Sequence, residues 1–190
     1  MRYLLVVALA WLGACSAREK KYVKAYTDLD SLVDAQITAL KEEPQTLKKR
    51  AWLNQLASDT AYRPDSLAWT NELSIFRQLD AINKPTFRGA YVRETGTDTK
   101  SNLTVLSLIS NKPSTVPYIR FYYLNKPTNL KKVEARFEES NALFSTYRQM
   151  EMQFEEINGQ PLLKSFRVEG AQKMMLSDSV RFGMEAAVER

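Results

Sequence analysis

Beyond Pro85 apolar residues recur at every second position, and before it they recur at every third or fourth. In the first part Tyr26, Leu29, Leu32, Val33, Ile37 and Leu40 share one face of a helix. Thr27 and Asp30 have the spacing of a capping box, and Pro44 closes the segment. From Arg63 to Pro85 a second helix is predicted, capped by Asp65 or Ser66 and ended at Lys84-Pro85. It carries Trp69, Leu73, Phe76 and Leu79 on one face. The stretch between them, 46–59, is open. Leu47, Ala51 and Leu53 alternate as in a strand, whereas Leu47, Trp52, Leu53 and Leu56 have helical spacing.

The period-two part predicts seven strands: FRGAYVRE, NLTVLSLIS, VPYIRFYYL, VEARFEE, LFSTYRQMEMQFEEI, LLKSFRVEGAQKMML and VRFGMEAAVE. Between them stand turn sequences such as TGTD, SNKPS, NKPTN and SD, with Asn158-Gly159 the strongest hairpin signal. NLTVLSLIS and VPYIRFYYL are apolar on both faces, as in central strands covered from both sides. The expectation is an α+β fold: N-terminal helices packed on the concave side of a strongly curved, about seven-stranded antiparallel meander resembling an open half-barrel. Gly89, Gly170 and Gly183 are candidate bends or bulges. One domain spans 27–190, with 27–84 mainly helical and 85–190 sheet. In outline this layout is similar to the open barrel of the periplasmic lipoprotein carriers of the Lol system.

The first fifteen residues carry a different pattern. Arg2 precedes ten unbroken apolar residues, Tyr3 to Leu12. A membrane-spanning helix needs about 20 such residues, so ten read as the h-region of a signal peptide. Leu12, Gly13, Ala14 and Cys15 follow, and Cys15 is the chain's one cysteine. This LGAC box resembles the lipobox of bacterial lipoproteins. The resemblance implies removal of residues 1–14 by signal peptidase II and acylation of Cys15, with 15–26 as a lipidated, charged tether. Ser16, in place of aspartate, implies the outer membrane, facing the periplasm. A short lipobox before a helix and a tyrosine-rich meander also resembles the small uncharacterised lipoproteins of Bacteroidota.

Charge and chemistry narrow the function classes. The net charge of +5 is spread over short groups, and no nucleic-acid partner is expected. Arg18, Lys20, Lys21 and Lys24 follow the acylation site, where basic residues can meet anionic headgroups. The chain has no histidine, which removes the commonest general base and metal ligand and every triad built on one. An acylated Cys15 is no nucleophile. Adjacent carboxylates such as Glu155 and Glu156 point to opposite faces of a strand and form no acid–base pair. No catalytic residue, metal or cofactor is expected.

Five of the six methionines lie at positions 150, 152, 174, 175 and 184. Methionine adapts to varied apolar partners and also fills irregular cores. The first functional expectation is therefore a non-enzymatic, membrane-anchored envelope lipoprotein. It would hold a lipid or acyl chain in a groove between helix and sheet, walled by Trp69, Phe76, Met150, Met152, Phe154, Met174, Phe182 and Met184. A second reading is an assembly accessory with a solid core that docks an envelope protein. A third is a Ser-Lys hydrolase. For the address, Cys15→Ser is expected to abolish metabolic labelling by a fatty-acid probe, and persistent labelling would refute the lipobox.

Overall fold

The computed structural model describes residues 23–190, so Cys15 and the Leu12-Gly13-Ala14 box lie outside the described residues. In chain order the elements are α1 (Leu29–Glu42), β1 (Thr46–Leu53), β2 (Leu56–Tyr62), α2 (Ser66–Leu73) and a 3-10 run (Ser74–Asn83) with a short second one (Pro85–Phe87). Then come β3 (Tyr91–Thr97), β4 (Thr104–Ser110), β5 (Tyr118–Tyr123), β6 (Leu130–Ser140), β7 (Phe144–Ile157), β8 (Gln160–Met174) and β9 (Val180–Glu189). The fold is α+β, and the sheet is open and antiparallel, ordered β2-β1-β9-β8-β7-β6-β5-β4-β3.

The seven strands expected after Pro85 are β3 to β9, yet the sheet has nine. The ambiguous stretch forms the β1–β2 hairpin, and β1 pairs along its whole length with β9. So 27–84, read as mainly helical, also supplies two strands. Without β1 the last strand would be an edge with unpaired donors, a long-range requirement that no local pattern carries. β2 becomes the edge instead, and its exposed LASDTAY is short and mostly polar.

Helices cover one face. Leu29, Val33, Ile37 and Leu40 of α1, Trp69 and Leu73 of α2, and Phe76, Leu79 and Ile82 of the 3-10 run are all buried. They join Leu108, Ile119, Phe121, Val133, Ala135, Met150, Met152, Phe154, Phe166 and Val168 from the sheet in one core. Full burial of such a side chain is worth about 1.5–3 kcal/mol. Phe76 meets Phe166 edge to face at 5.8 Å. The predicted second helix keeps α geometry only to Leu73. Beyond it Phe76, Leu79 and Ile82 stand three apart, which suits a winding of three residues per turn.

The cap of α1 differs from expectation by one residue, and the cap of α2 is one of the two expected. Asp28, not Thr27, caps α1 and accepts from the Ser31 amide at 2.8 Å, while Asp65 caps α2 through the Ala68 amide at 2.7 Å. Gln36, buried in α1, donates to the Pro161 carbonyl at 3.0 Å and accepts from the Leu163 amide at 2.8 Å. This buried pair holds α1 to β8 beside the register shift at Gln153/Phe154.

The opposite face is hollow. An open depression of about 750 Å³ runs from Asp59 and Ala61 on β2 across β1, β9 and β8 to Glu151 and Gln153 on β7. Its lining residues come from five strands on the face that the helices leave uncovered. The helices therefore do not sit on the concave side, which corrects their expected placement. Their bulk fills the other face, and the hollow is left to long charged side chains such as Lys48, Arg50, Glu151 and Arg167 with alanines between them. The doubly apolar strands β4 and β5 are likewise not central. Val105, Ile109 and Tyr118 are only partly buried on the face without helices, although Tyr122 beside them is buried.

The glycines do other work than bulging, since the register shifts fall at Tyr122/Tyr123 and Gln153/Phe154. Gly89 and Gly159 have positive φ in turns, with Asn158-Gly159 closing its hairpin as expected. At Gly170 a Cβ would lie 2.0 Å from the Tyr147 carbonyl oxygen. Gly170→Ala is therefore expected to lower stability by about 2–4 kcal/mol. Gly96→Ala, whose Cβ meets nothing within 4 Å, should be neutral or stabilising. Urea unfolding of the two variants checks the contrast.

Candidate functional site

The residues expected to wall an apolar groove do not form one cluster. Trp69, Phe76, Met150, Met152 and Phe154 are buried and packed against one another and their neighbours in the common core. Met184 is partly buried against that core, and Phe182 is half-buried near the start of β9. Met174 is exposed at the end of β8. Five surface hollows, of about 200 to 750 Å³, are lined by other side chains.

The charged side chains around the 750 Å³ hollow are ordered by register. Pairing places Asp59, Arg50, Glu185, Arg167, Glu151, Glu134, Arg120, Ser107 and Glu94 in one transverse row, one residue from each of the nine strands. The row runs from β2 to β3 across the face without helices. Charges alternate along it, so that opposite signs face each other across most strand pairs. Arg50 lies 4.0 Å from Asp59, Arg167 lies 3.4 Å from Glu185, and Arg120 lies 3.3 Å from Glu134.

One contact, Glu134 opposite Glu151, puts like charges together. Glu134 is compensated locally: besides Arg120 it accepts from the Tyr122 hydroxyl at 3.0 Å and from Lys132 at 3.4 Å. Burial first, and the Glu134 charge second, push the Tyr122 hydroxyl up to about 12, so it stays a donor through the whole neutral range. Glu151 accepts from Gln153 at 2.6 Å and faces Arg167 across β7 and β8. Trp52 lies at one side of the hollow with its indole over Gly183, where a Cβ would come within 2.2 Å of the ring. The Arg167 guanidinium stands 5.6 Å from the ring centroid. The row was not anticipated from the sequence. Its members lie far apart in the chain, and only the alternation of charge within VEARFEE and its neighbours pointed to a polar outer face.

A second polar cluster fixes the start of the described chain. Asp28, Asp30 and Asp80 are the one group of carboxylates, among the described residues, close enough to share a cation. The Lys24 ammonium takes that role, at 2.6, 3.1 and 2.8 Å from them. Partial burial alone would lower the pKa of Lys24, but its hydrogen bonds to Asp28, Asp80 and Asp30 override this and raise it. At Asp28 burial raises the carboxyl, and the bonds from Lys24 and Ser31 outweigh it and hold the pKa below the usual range. A third contact ties α2 to the sheet. Lys49 bonds both oxygens of Glu72 at 2.7 Å, and Tyr62 donates to Glu72 at 2.8 Å.

No family model matches the chain, and a search of the curated proteins finds no match either. Among the described residues no helix is long and apolar enough to cross a membrane.

Lys24→Met leaves three carboxylates without their cation. It is expected to cost about 1–2 kcal/mol at pH 7, discounted because Asp28 and Asp30 are two-fifths exposed. A depressed Asp28 contributes stability above its unfolded pKa of about 4 and loses it as pH falls through the folded value. The gap between wild type and variant should therefore narrow from pH 7 to pH 3, as read by urea midpoints across that range.

Proposed function

We propose that this chain is a non-enzymatic, lipid-anchored envelope protein whose domain is a binding module with a solid core, presenting its hollow sheet face to a protein partner. The observation that carries this reading is the filling of the helix–sheet interface. Trp69, Phe76, Met150 and Met152 are each no more than 1% exposed within one continuous core. A carrier of acyl chains needs space among such side chains, and here they occupy it themselves. The open face instead offers arginines and carboxylates in fixed register, with Trp52 beside them. That combination favours a polar, complementary protein surface, because paired charges give orientation and selectivity more than bulk affinity. The anchoring half of the proposal rests on the LGAC box and its Cys15, with the outer membrane as the address implied by Ser16. The absence of histidine supports a role in binding over catalysis.

The test is photo-crosslinking in cells with the reactive group at Gln153, inside the hollow, and at Glu43, beyond the end of α1. The proposal expects a discrete adduct from position 153 alone, lost in the Arg50→Glu, Arg167→Glu double variant. Equal crosslinking at both positions counts against it. So does native mass spectrometry of the purified chain that finds a stoichiometric lipid beyond the anchor, since that outcome supports the carrier reading.

A further inference from the structure

The two ends of the sheet differ in character. At one end stand the β3–β4, β5–β6 and β7–β8 turns, with Asp98, Lys100, Asn125, Lys126, Asn158 and Gly159, all polar or glycine. At the other end stand the β1–β2, β4–β5, β6–β7 and β8–β9 turns; the β4–β5 turn is polar, with Asn111, Lys112 and Ser114, and the other three, which adjoin one another, carry large apolar residues in the open. Leu56 is 76% exposed, Leu143 67%, Met175 67% and Leu176 93%, with Leu53 and Met174 also more than half exposed. The three turns are neighbours. The Asn54 amide donates to the Arg181 carbonyl at 2.7 Å, and the Met175 amide donates to the Leu143 carbonyl at 2.9 Å. Isolated exposed leucines are ordinary, but six such side chains at one end of a sheet form a surface that marks an interaction.

The chain emerges at this same end. The C-terminal turn of α1 lies against Ile157 and Asn158 at the polar end, in a hollow lined also by Leu40 and Glu43. A helix of 14 residues is about 21 Å long, so its N-terminus points the other way. There Lys24, pinned by its three aspartates, shares a hollow with Thr115, Phe137 and Glu139. Glu139 is at the end of β6 that runs into the turn bearing Leu143. Val23, the first described residue, is itself 78% exposed. Seven residues separate it from Cys15, eight steps along the chain with a reach of at most about 28 Å. Arg18, Lys20 and Lys21 lie in that connection.

We propose that the apolar end of the sheet docks on the membrane that holds the anchor, with Leu56, Leu143, Met175 and Leu176 entering the headgroup–acyl boundary of the bilayer. The inference rests on acylation of Cys15 as proposed above. Short apolar tips are weak anchors alone, but a tether confines them near the surface and makes the second contact intramolecular. The strands then stand on the membrane, and the transverse charged row lies parallel to it, facing sideways toward neighbours in the same plane.

The test uses the full acylated chain in vesicles of phosphatidylethanolamine and phosphatidylglycerol. An acylated Cys15 leaves no other thiol, so Leu176→Cys or Asn158→Cys takes an environment-sensitive fluorophore at one position. Nitroxide-bearing lipid is expected to quench the probe at 176 several-fold more than the probe at 158, with a blue shift at 176 alone. Equal quenching at the two positions overturns the docking. In the Met175→Asp, Leu143→Asp variant the quenching at 176 should fall to the level at 158 while the urea midpoint stays unchanged, and quenching that persists also overturns it. Intact mass reads the anchor separately. If Cys15 is unmodified the anchor fails on its own, and the same probes in a Cys15→Ser chain, where the probe site is again the only thiol, then decide the docking alone at high vesicle concentration.

Discussion

The structure depends on a one-sided burial. A wide antiparallel sheet has two faces, and this chain brings only α1, α2 and the 3-10 run to cover them. All three go to the same face, where Leu29, Trp69, Phe76, Met150 and Phe166 are buried in one core. The other face must then be stable in water. It meets that demand by pairing charges across the strands rather than by covering them, and the hollow lies on that uncovered face.

This constraint links fold to function. A sheet with one buried face has its strand register strongly specified, so nine side chains from nine strands stand in a line with a fixed order of charges. Glu134 shows the cost and its compensation: a like charge opposite, and donors from Arg120, Tyr122 and Lys132 around it. Arg167, placed between Glu185 and Glu151 in the pairing, marks the centre of the hollow.

Much of the strand pattern was legible because alternation is a local signal. The core face of β6 reads directly from Val133, Ala135 and Phe137, and the turn at Asn158-Gly159 from its two residues. The β1–β2 hairpin was not legible, because LKKRAWL satisfies both periods and its choice is made by β9. Nor could alternation separate the methionines. Met150, Met152 and Met174 have the same parity on paired strands, yet the first two are sealed and the third is open. The difference is where the helices above them stop.

The sequence by itself determined the α+β class, the meander after Pro85, the amphipathic helices and the LGAC box that directs the reading toward an anchored envelope protein. These are properties of neighbours in the chain, set by side-chain period, turn chemistry and motif. Only the tertiary structure decided the count of nine strands, the face the helices cover, the transverse row and the gathering of apolar turns at one end. Each of these depends on which strands lie beside which, and that is a balance of hydrogen-bond pairing and burial over the whole sheet.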